Sequence, residues 1–240
     1  KVLIHAFSNN KMRSFLSMLG IIIGVAAVII MMAIGQGSKE SIRSELSTMG
    51  TNLLTIRPGA DMGPGGVRQD PSAMQTLKPA DYEKILAGKK LITKVSPEVN
   101  ASGQVVLGNK NTSTTVYGES PEYLDIKLWN IEEGECFNEE DIKKSAKVAL
   151  IGKTISNELF GEGIDPIGKT IRFKSIPFRV IGVLKSKGYN SWGMDQDNVM
   201  IAPYTTVMKR IAAQTFLSSI NCSAVTEELS DDAIEELQQI

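Results

Sequence analysis

From Gly163 to Thr170 the chain reads GIDPIGKT, which satisfies G-x-x-x-x-G-K-[ST] at each fixed position. In that pattern backbone amides curl around phosphates, the lysine reaches the terminal phosphate oxygens and the hydroxyl ligates Mg²⁺. The chemistry needs a buried strand entering the loop and a helix leaving it, because the helix N-terminus supplies the amides. Here the entering text is NELFGEG and the leaving text is TIRFKSIPFRVIGVL. The leaving text alternates, with Ile171 and Phe173 facing one way and Arg172 and Lys174 the other, and Pro177 lies close behind. No apolar run ending in an acidic residue offers a magnesium ligand. Gly163, Gly168, Lys169 and Thr170 therefore read as a false P-loop match. The segment is expected to be a turn-rich entry to a β-hairpin, with Gly161, Gly163 and Gly168 taking unusual backbone angles and Pro166 stiffening the loop. No cofactor is expected in this chain.

Other reactive side chains are few. The one histidine, His5, and the two cysteines, Cys136 and Cys222, cannot assemble a four-ligand zinc site without carboxylates. His5 sits beside a long apolar block, so a histidine-based triad has no base. The cysteines read as free, partly buried thiols, with a disulfide as the alternative in an oxidising compartment. The acidic runs EEGE at 132–135 and NEED at 138–141 read as solvated faces. No catalytic residue and no metal ligand emerges, and an enzyme is the least favoured class.

The elements that would carry any function begin with the apolar block. Phe15 to Ile34 contains no charge, and at about 1.5 Å per residue it spans ~30 Å, the thickness of a bilayer core. A buried core helix is rarely apolar on all faces for this length, and a cleaved signal has a shorter apolar region. A retained transmembrane helix is favoured over both. Lys1, Lys11 and Arg13 precede it, while Lys39 and Arg43 behind it are accompanied by Glu40 and Glu45. The positive-inside bias puts the N-terminus in the cytoplasm and residues 35–240 outside. Within the span Gly20 and Gly24 form a G-x-x-x-G pair that would let a second helix approach closely. The first residues, with Val2, Leu3, Ile4 and Phe7 among Lys1, Lys11 and Arg13, fit a short amphipathic helix at the cytoplasmic surface. The chain lacks an initiator Met and reads as a segment of something longer.

Charge is balanced overall, with 26 Lys+Arg against 27 Asp+Glu, so no basic field proposes a nucleic-acid partner. Beyond the span, Ile42, Leu46 and Met49 lie at helical spacing up to Gly50 and predict a stalk helix. NLLTIRP predicts a strand, GADMGPGGVRQDPSAM a mobile loop, and KPADYEKILAG a helix with Pro79 near its start. LITKVSPEVN and SGQVVLG predict two strands, and NKN a turn into TSTTVYG. From about Trp129 the text becomes a mostly-β block to residue 203, including VALIG, KTIRFKSIPFRVIGVL and NVMIAP as strands and TISNELFG as a short helix. YTTVMKRIAA predicts a helix, FLSSINCSAV a strand, and SDDAIEELQQI a helix capped by Ser230. The order is that of an α+β domain, with no repeated βαβ wind.

Taken in order, NNKMRSFLSMLGIIIGVAAVIIMMAIGQGSKESI, MGTNLLTIRPG, VYGESPEYLDI, the stretch from VALIGKTISNELF to FRVIGVLKSKG, and DQDNVMIAPYTTVMKRI carry a resemblance covering residues 8–225. The chain resembles an ABC-transporter permease of the MacB/FtsX-like family, over its first membrane helix and MacB-type extracytoplasmic domain. That resemblance implies a cytoplasmic amphipathic segment at 1–14, a transmembrane helix at 15–34 and a stalk at 35–50. It further implies a two-lobed domain: a discontinuous porter-like α+β lobe, 51–128 with 204–240, and an inserted mostly-β lobe, 129–203. It implies a second copy of the permease and a cytoplasmic ABC ATPase, fused or separate, whose work is passed through the membrane to the outer domain. Exported substrates would be peptides, antibiotics or lipid-linked molecules, and in a double envelope a periplasmic adaptor and outer-membrane channel would join. A single-pass membrane-anchored sensor or adhesion domain is the alternative, needing neither ATPase nor further spans.

Overall fold

The computed structural model describes residues 11–49, 52–59, 75–190, 193–226 and 228–240. His5, most of the amphipathic segment expected at 1–14, and the Gly/Pro-rich stretch at 60–74 lie outside the described residues. The chain forms two compact units, Lys1–Ser47 and Thr48–Ile240.

The first is built on α1, Lys11–Met49, one uninterrupted helix. Its stretch Phe15–Glu40 is long and apolar enough to cross a membrane, and no part of it is buried. The transmembrane and stalk segments expected on either side of residue 35 belong to the same helix, which runs through Gly35 and Gly37.

The second unit is α+β. Its elements begin with β1 (Leu53–Ile56), α2 (Pro79–Gly88), β2 (Ile92–Leu107), β3 (Lys110–Glu119), α3 (Glu122–Ile126) and β4 (Ile131–Gly134). There follow α4 (Glu139–Lys144), β5 (Val148–Ile151), α5 (Lys153–Leu159), β6 (Thr170–Phe173), β7 (Ile176–Leu184) and β8 (Val199–Pro203). A helical turn α6, Tyr204–Thr206, widens into a π-type turn at Val207–Ala212; β9 (Ser219–Ala224) and α7 (Ser230–Gln239) complete the unit. The strands join one path, β1-β9-β2-β3-β8-β5-β7-β4, with β6 pairing β2 and β7.

Two expectations change. The two strands predicted over LITKVSPEVN and SGQVVLG are the single β2. Residues Ile92 to Glu98 pair with β9, and Val99 to Leu107 pair with β3 on the opposite edge, so the backbone stays extended while its partner changes. Pro97 is tolerated because the β3 pairing starts beyond it, at Val99. Ser230 is the first helical residue of α7 and not its cap; the cap position falls on Leu229, without a side-chain hydrogen bond.

The charged stretch after Trp129 also holds more structure than its composition suggests. Asn138 caps α4, its Oδ1 accepting from the amides of Glu140 (2.9 Å) and Asp141 (3.1 Å), while Asp141 accepts in return from the Asn138 amide (3.0 Å). The alternation read in β6 holds: Ile171 and Phe173 are fully buried and Arg172 is exposed. With Phe178, Ile151, Ile155 and Met200 they belong to one buried cluster, while Leu150 belongs to a second.

Candidate functional site

The GIDPIGKT segment lies between α5, which ends at Leu159, and β6, which begins at Thr170. Helix, loop and strand thus follow in the reverse of the phosphate-binding order. Gly161, Gly163 and Gly168 take φ of 103°, 74° and 77°, the left-handed region expected of them. The amides at the lysine end of the loop are spent within the chain. Ile167 N donates to Asp165 Oδ1 at 2.8 Å, Gly168 N to Val180 O at 2.8 Å and Lys169 N to Pro166 O at 3.2 Å. Lys169 O accepts from Val180 N at 2.9 Å, and Lys169 Nζ stands 5.5 Å from the centre of the Phe160 ring. The loop therefore opens a β-hairpin, with the lysine lying over an aromatic face.

Both cysteines are free. Burial pushes the Cys136 thiol up to about 11 and that of Cys222 up to about 12, so neither is a thiolate near neutrality. Among the described residues no group of three or more His, Cys, Asp or Glu could hold a metal ion. The acidic residues Glu132, Glu133, Glu135, Glu139 and Glu140 are exposed. On α1 nothing lies within 4 Å of where a Cβ on Gly20 or Gly24 would be.

The structure instead gathers a polar group that the sequence did not single out, at the point where β2 changes partner. Glu98 is the last residue of β2 paired with β9, Val99 the first paired with β3, and Glu119 the last of β3. Glu119 is fully buried. Its Oε2 accepts from Ser96 Oγ at 2.7 Å, and Ser96 Oγ accepts from Ser120 N at 2.9 Å. Its Oε1 is equally buried, and no donor reaches it. Glu98 lies two residues from Ser96 along β2, on the same face, and its carboxyl acts on that of Glu119. Glu98 in turn accepts from Asn221 Nδ2 at 2.8 Å and Asn100 Nδ2 at 3.2 Å, and Thr55 Oγ1 donates to Asn221 Oδ1 at 3.1 Å. One chain of polar contacts therefore crosses β1, β9, β2 and β3.

Burial first, then the Glu98 charge, hold the Glu119 carboxyl well above its ordinary value, against the opposing hydrogen bond from Ser96. Lys127 is pushed down by its own burial, opposed by Glu98 and Glu119. Burial also raises the hydroxyls of Tyr117 and Tyr123, and the two glutamates add to it. Sequence reading missed this group because isolated glutamates in alternating strands look like solvent-facing positions. Only the register of a partner change reveals that Glu119 points inward.

A second knot fixes the segment between β7 and β8. Asp197 accepts from Ser186 Oγ, from Lys187 N at 2.7 Å and from Gly188 N at 3.1 Å. Asp195 accepts from Thr154 Oγ1 of α5 at 2.7 Å and from Asp197 N at 2.8 Å. These bonds close the neck of the segment and tie it to α5.

Comparison with known proteins gives one family. Residues 14–240 match the family described as MacB-like periplasmic core domain. A protein of Syntrophobacter fumaroxidans named macrolide export ATP-binding/permease protein MacB is 39% identical over 224 residues, 93% of this chain and 31% of that protein. Its namesake in Rhodospirillum rubrum is 40% identical over 236 residues, 96% of this chain and 35% of that protein. The chain thus spans about a third of the length of these relatives. The crystal structure of the periplasmic region of MacB from Actinobacillus actinomycetemcomitans matches with a TM-score of 0.64 at 28% identity, covering 81% of this chain and 86% of that one. The extracellular domain of the noncanonic ABC-type transporter YknZ from Gram-positive bacteria shares the fold, with a TM-score of 0.61 at 18% identity over 78% of this chain and 91% of that one.

Proposed function

Because the chain belongs to the family of MacB-like periplasmic core domains, we propose that it is the first membrane helix and extracytoplasmic domain of an ABC-type exporter permease. The observation that carries this reading is the combination of a helix apolar from Phe15 to Glu40 with an α+β unit whose fold matches the periplasmic region of a MacB. Lys11 and Arg13 precede the span, which supports a cytoplasmic N-terminus in the inner membrane and an outer location for residues 35–240.

In this reading the chain does no bond chemistry. A cytoplasmic ATPase domain or subunit hydrolyses ATP, a second copy of the permease closes against the first, and α1 carries the movement outward. Gly20 and Gly24, four residues apart on α1, would let a second helix approach closely there. In a double envelope an adaptor and an outer-membrane channel would continue the export path. The outer unit divides, in our reading, into a porter-like lobe of 51–128 with 204–240 and an inserted lobe of 129–203. Within that reading the β2–β6 and β3–β8 pairings join the two lobes into one sheet.

Among peptides, antibiotics and lipid-linked molecules, the relatives' names favour a macrolide antibiotic as substrate. Expression of the parent protein in a drug-sensitive host is expected to raise the macrolide concentration that cells tolerate. Excising residues 48–240 removes the gain. An unchanged tolerance with the parent protein folded in the membrane overturns the macrolide assignment.

A further inference from the structure

Where β2 leaves β9 and joins β3, Glu98 shares a strand face with Ser96, whose hydroxyl is bonded to the buried Glu119. Glu119 Oε2 is satisfied by Ser96, but Oε1 is buried without a donor. Both oxygens of Glu98 already accept amide hydrogens, from Asn221 and Asn100. A buried Glu119 oxygen without a donor, beside a carboxyl already bonded at both oxygens, is accommodated if Glu119 carries a proton, because an unpartnered buried carboxylate oxygen costs its full desolvation.

We propose that Glu119 keeps a proton, donates it to Glu98, and so latches the β1–β9–β2 half-sheet to the inner end of β3. The deprotonation is simple: the proton passes to solvent base and leaves two carboxylates facing each other, which weakens the join. The other charged or titratable groups that act on the pair are Tyr117 of β3, Tyr123 of α3 and Lys127 just after α3; Arg57, following β1, acts on Lys127. Lys127 acts directly on the carboxyls, and its own burial disfavours its charged form. The latch links the sheet edge carrying β1 to the body of the sheet, so its state sets how firmly the two move together.

The sign of the effect follows from linkage. A carboxyl with a raised folded value contributes stability that is complete below its ordinary value of 4.5. This contribution is lost as pH rises through the folded value. Between those limits the folding equilibrium constant falls tenfold for each pH unit, the signature of one proton released on unfolding.

The test uses the full chain in detergent micelles, labelled with ¹³C at the glutamate carboxyls and titrated upward from the ordinary carboxylate range. The expected spectrum contains one glutamate that stays protonated far above the others, and Glu119→Gln removes that resonance and flattens the pH dependence of urea unfolding. Glu98→Gln replaces the shared proton with an amide donor, so Glu119 then ionises at lower pH. The proposal is overturned if all glutamates of the unsubstituted chain titrate in the ordinary range. It is equally overturned if Glu98→Gln leaves the Glu119 titration where it was, because burial alone then accounts for it.

Discussion

Replacing Gly152 by alanine is expected to destabilise the 48–240 unit by about 3 kcal/mol, the upper range for forcing a group into a packed interior. A Cβ there would lie 2.0 Å from the carbonyl oxygen of Asp197 and 2.8 Å from its carbonyl carbon, and neither backbone atom can rotate aside. The φ of −76° at Gly152 is open to any residue, so the cost is steric and owes nothing to strained angles. Relief requires the end of β5 to move away from the segment entering β8. That movement breaks the bond from Gly152 N to Val199 O, 2.8 Å long. It also pulls on Asp197, which holds the amides of Lys187 and Gly188 and the hydroxyl of Ser186. Urea unfolding of the full chain in micelles measures the change. A loss below about 1 kcal/mol would mean that the close approach of Gly152 to Asp197 is not a feature of the folded protein.

The second large effect concerns the membrane. Changing Val25 and Val28 together to aspartate is expected to release the chain from membranes. Each charge near the middle of a span costs about 3 kcal/mol on insertion scales, and both sites lie in the apolar stretch of α1. The original chain should stay with the membrane pellet through alkaline extraction, and the doubly substituted chain should appear in the supernatant. The 48–240 unit is compact by itself, so its near-ultraviolet circular dichroism should be retained. A doubly substituted chain that still resists extraction contradicts the assignment of Phe15–Glu40 as a span.

These expectations show which features the sequence carries openly. A charge-free run of this length reads as helix, so the apolar part of α1 was legible. Period-two alternation placed Ile171 and Phe173 inward and β6 in a hairpin, which undid the P-loop reading from its flanks alone. Local chemistry failed where pairing is long-range. LITKVSPEVN and SGQVVLG read as two strands, but tertiary partners on opposite edges keep β2 continuous. The α4 helix was hidden by charge, although Asn138 and Asp141 at capping-box spacing were a usable signal. The Glu98–Glu119 contact left no local trace, since it depends on the register of three strands.

The motif that looked most like chemistry and the machine proposed for this chain lie on opposite sides of one distinction. An exporter of this kind runs on ATP, but its phosphate-binding loop belongs to a nucleotide-binding domain. In this chain the amides of Gly168 and Lys169 are already used in the turn and the hairpin.

ATP turnover by the detergent-solubilised, purified parent protein tests the central claim most directly, with and without Lys169→Ala. The account predicts that an ATPase, in the same polypeptide or as a subunit, purifies with the domain. It also predicts that the substitution leaves turnover unchanged. Purification of the intact membrane protein with no ATPase attached, or a large loss of turnover on changing Lys169, would contradict it.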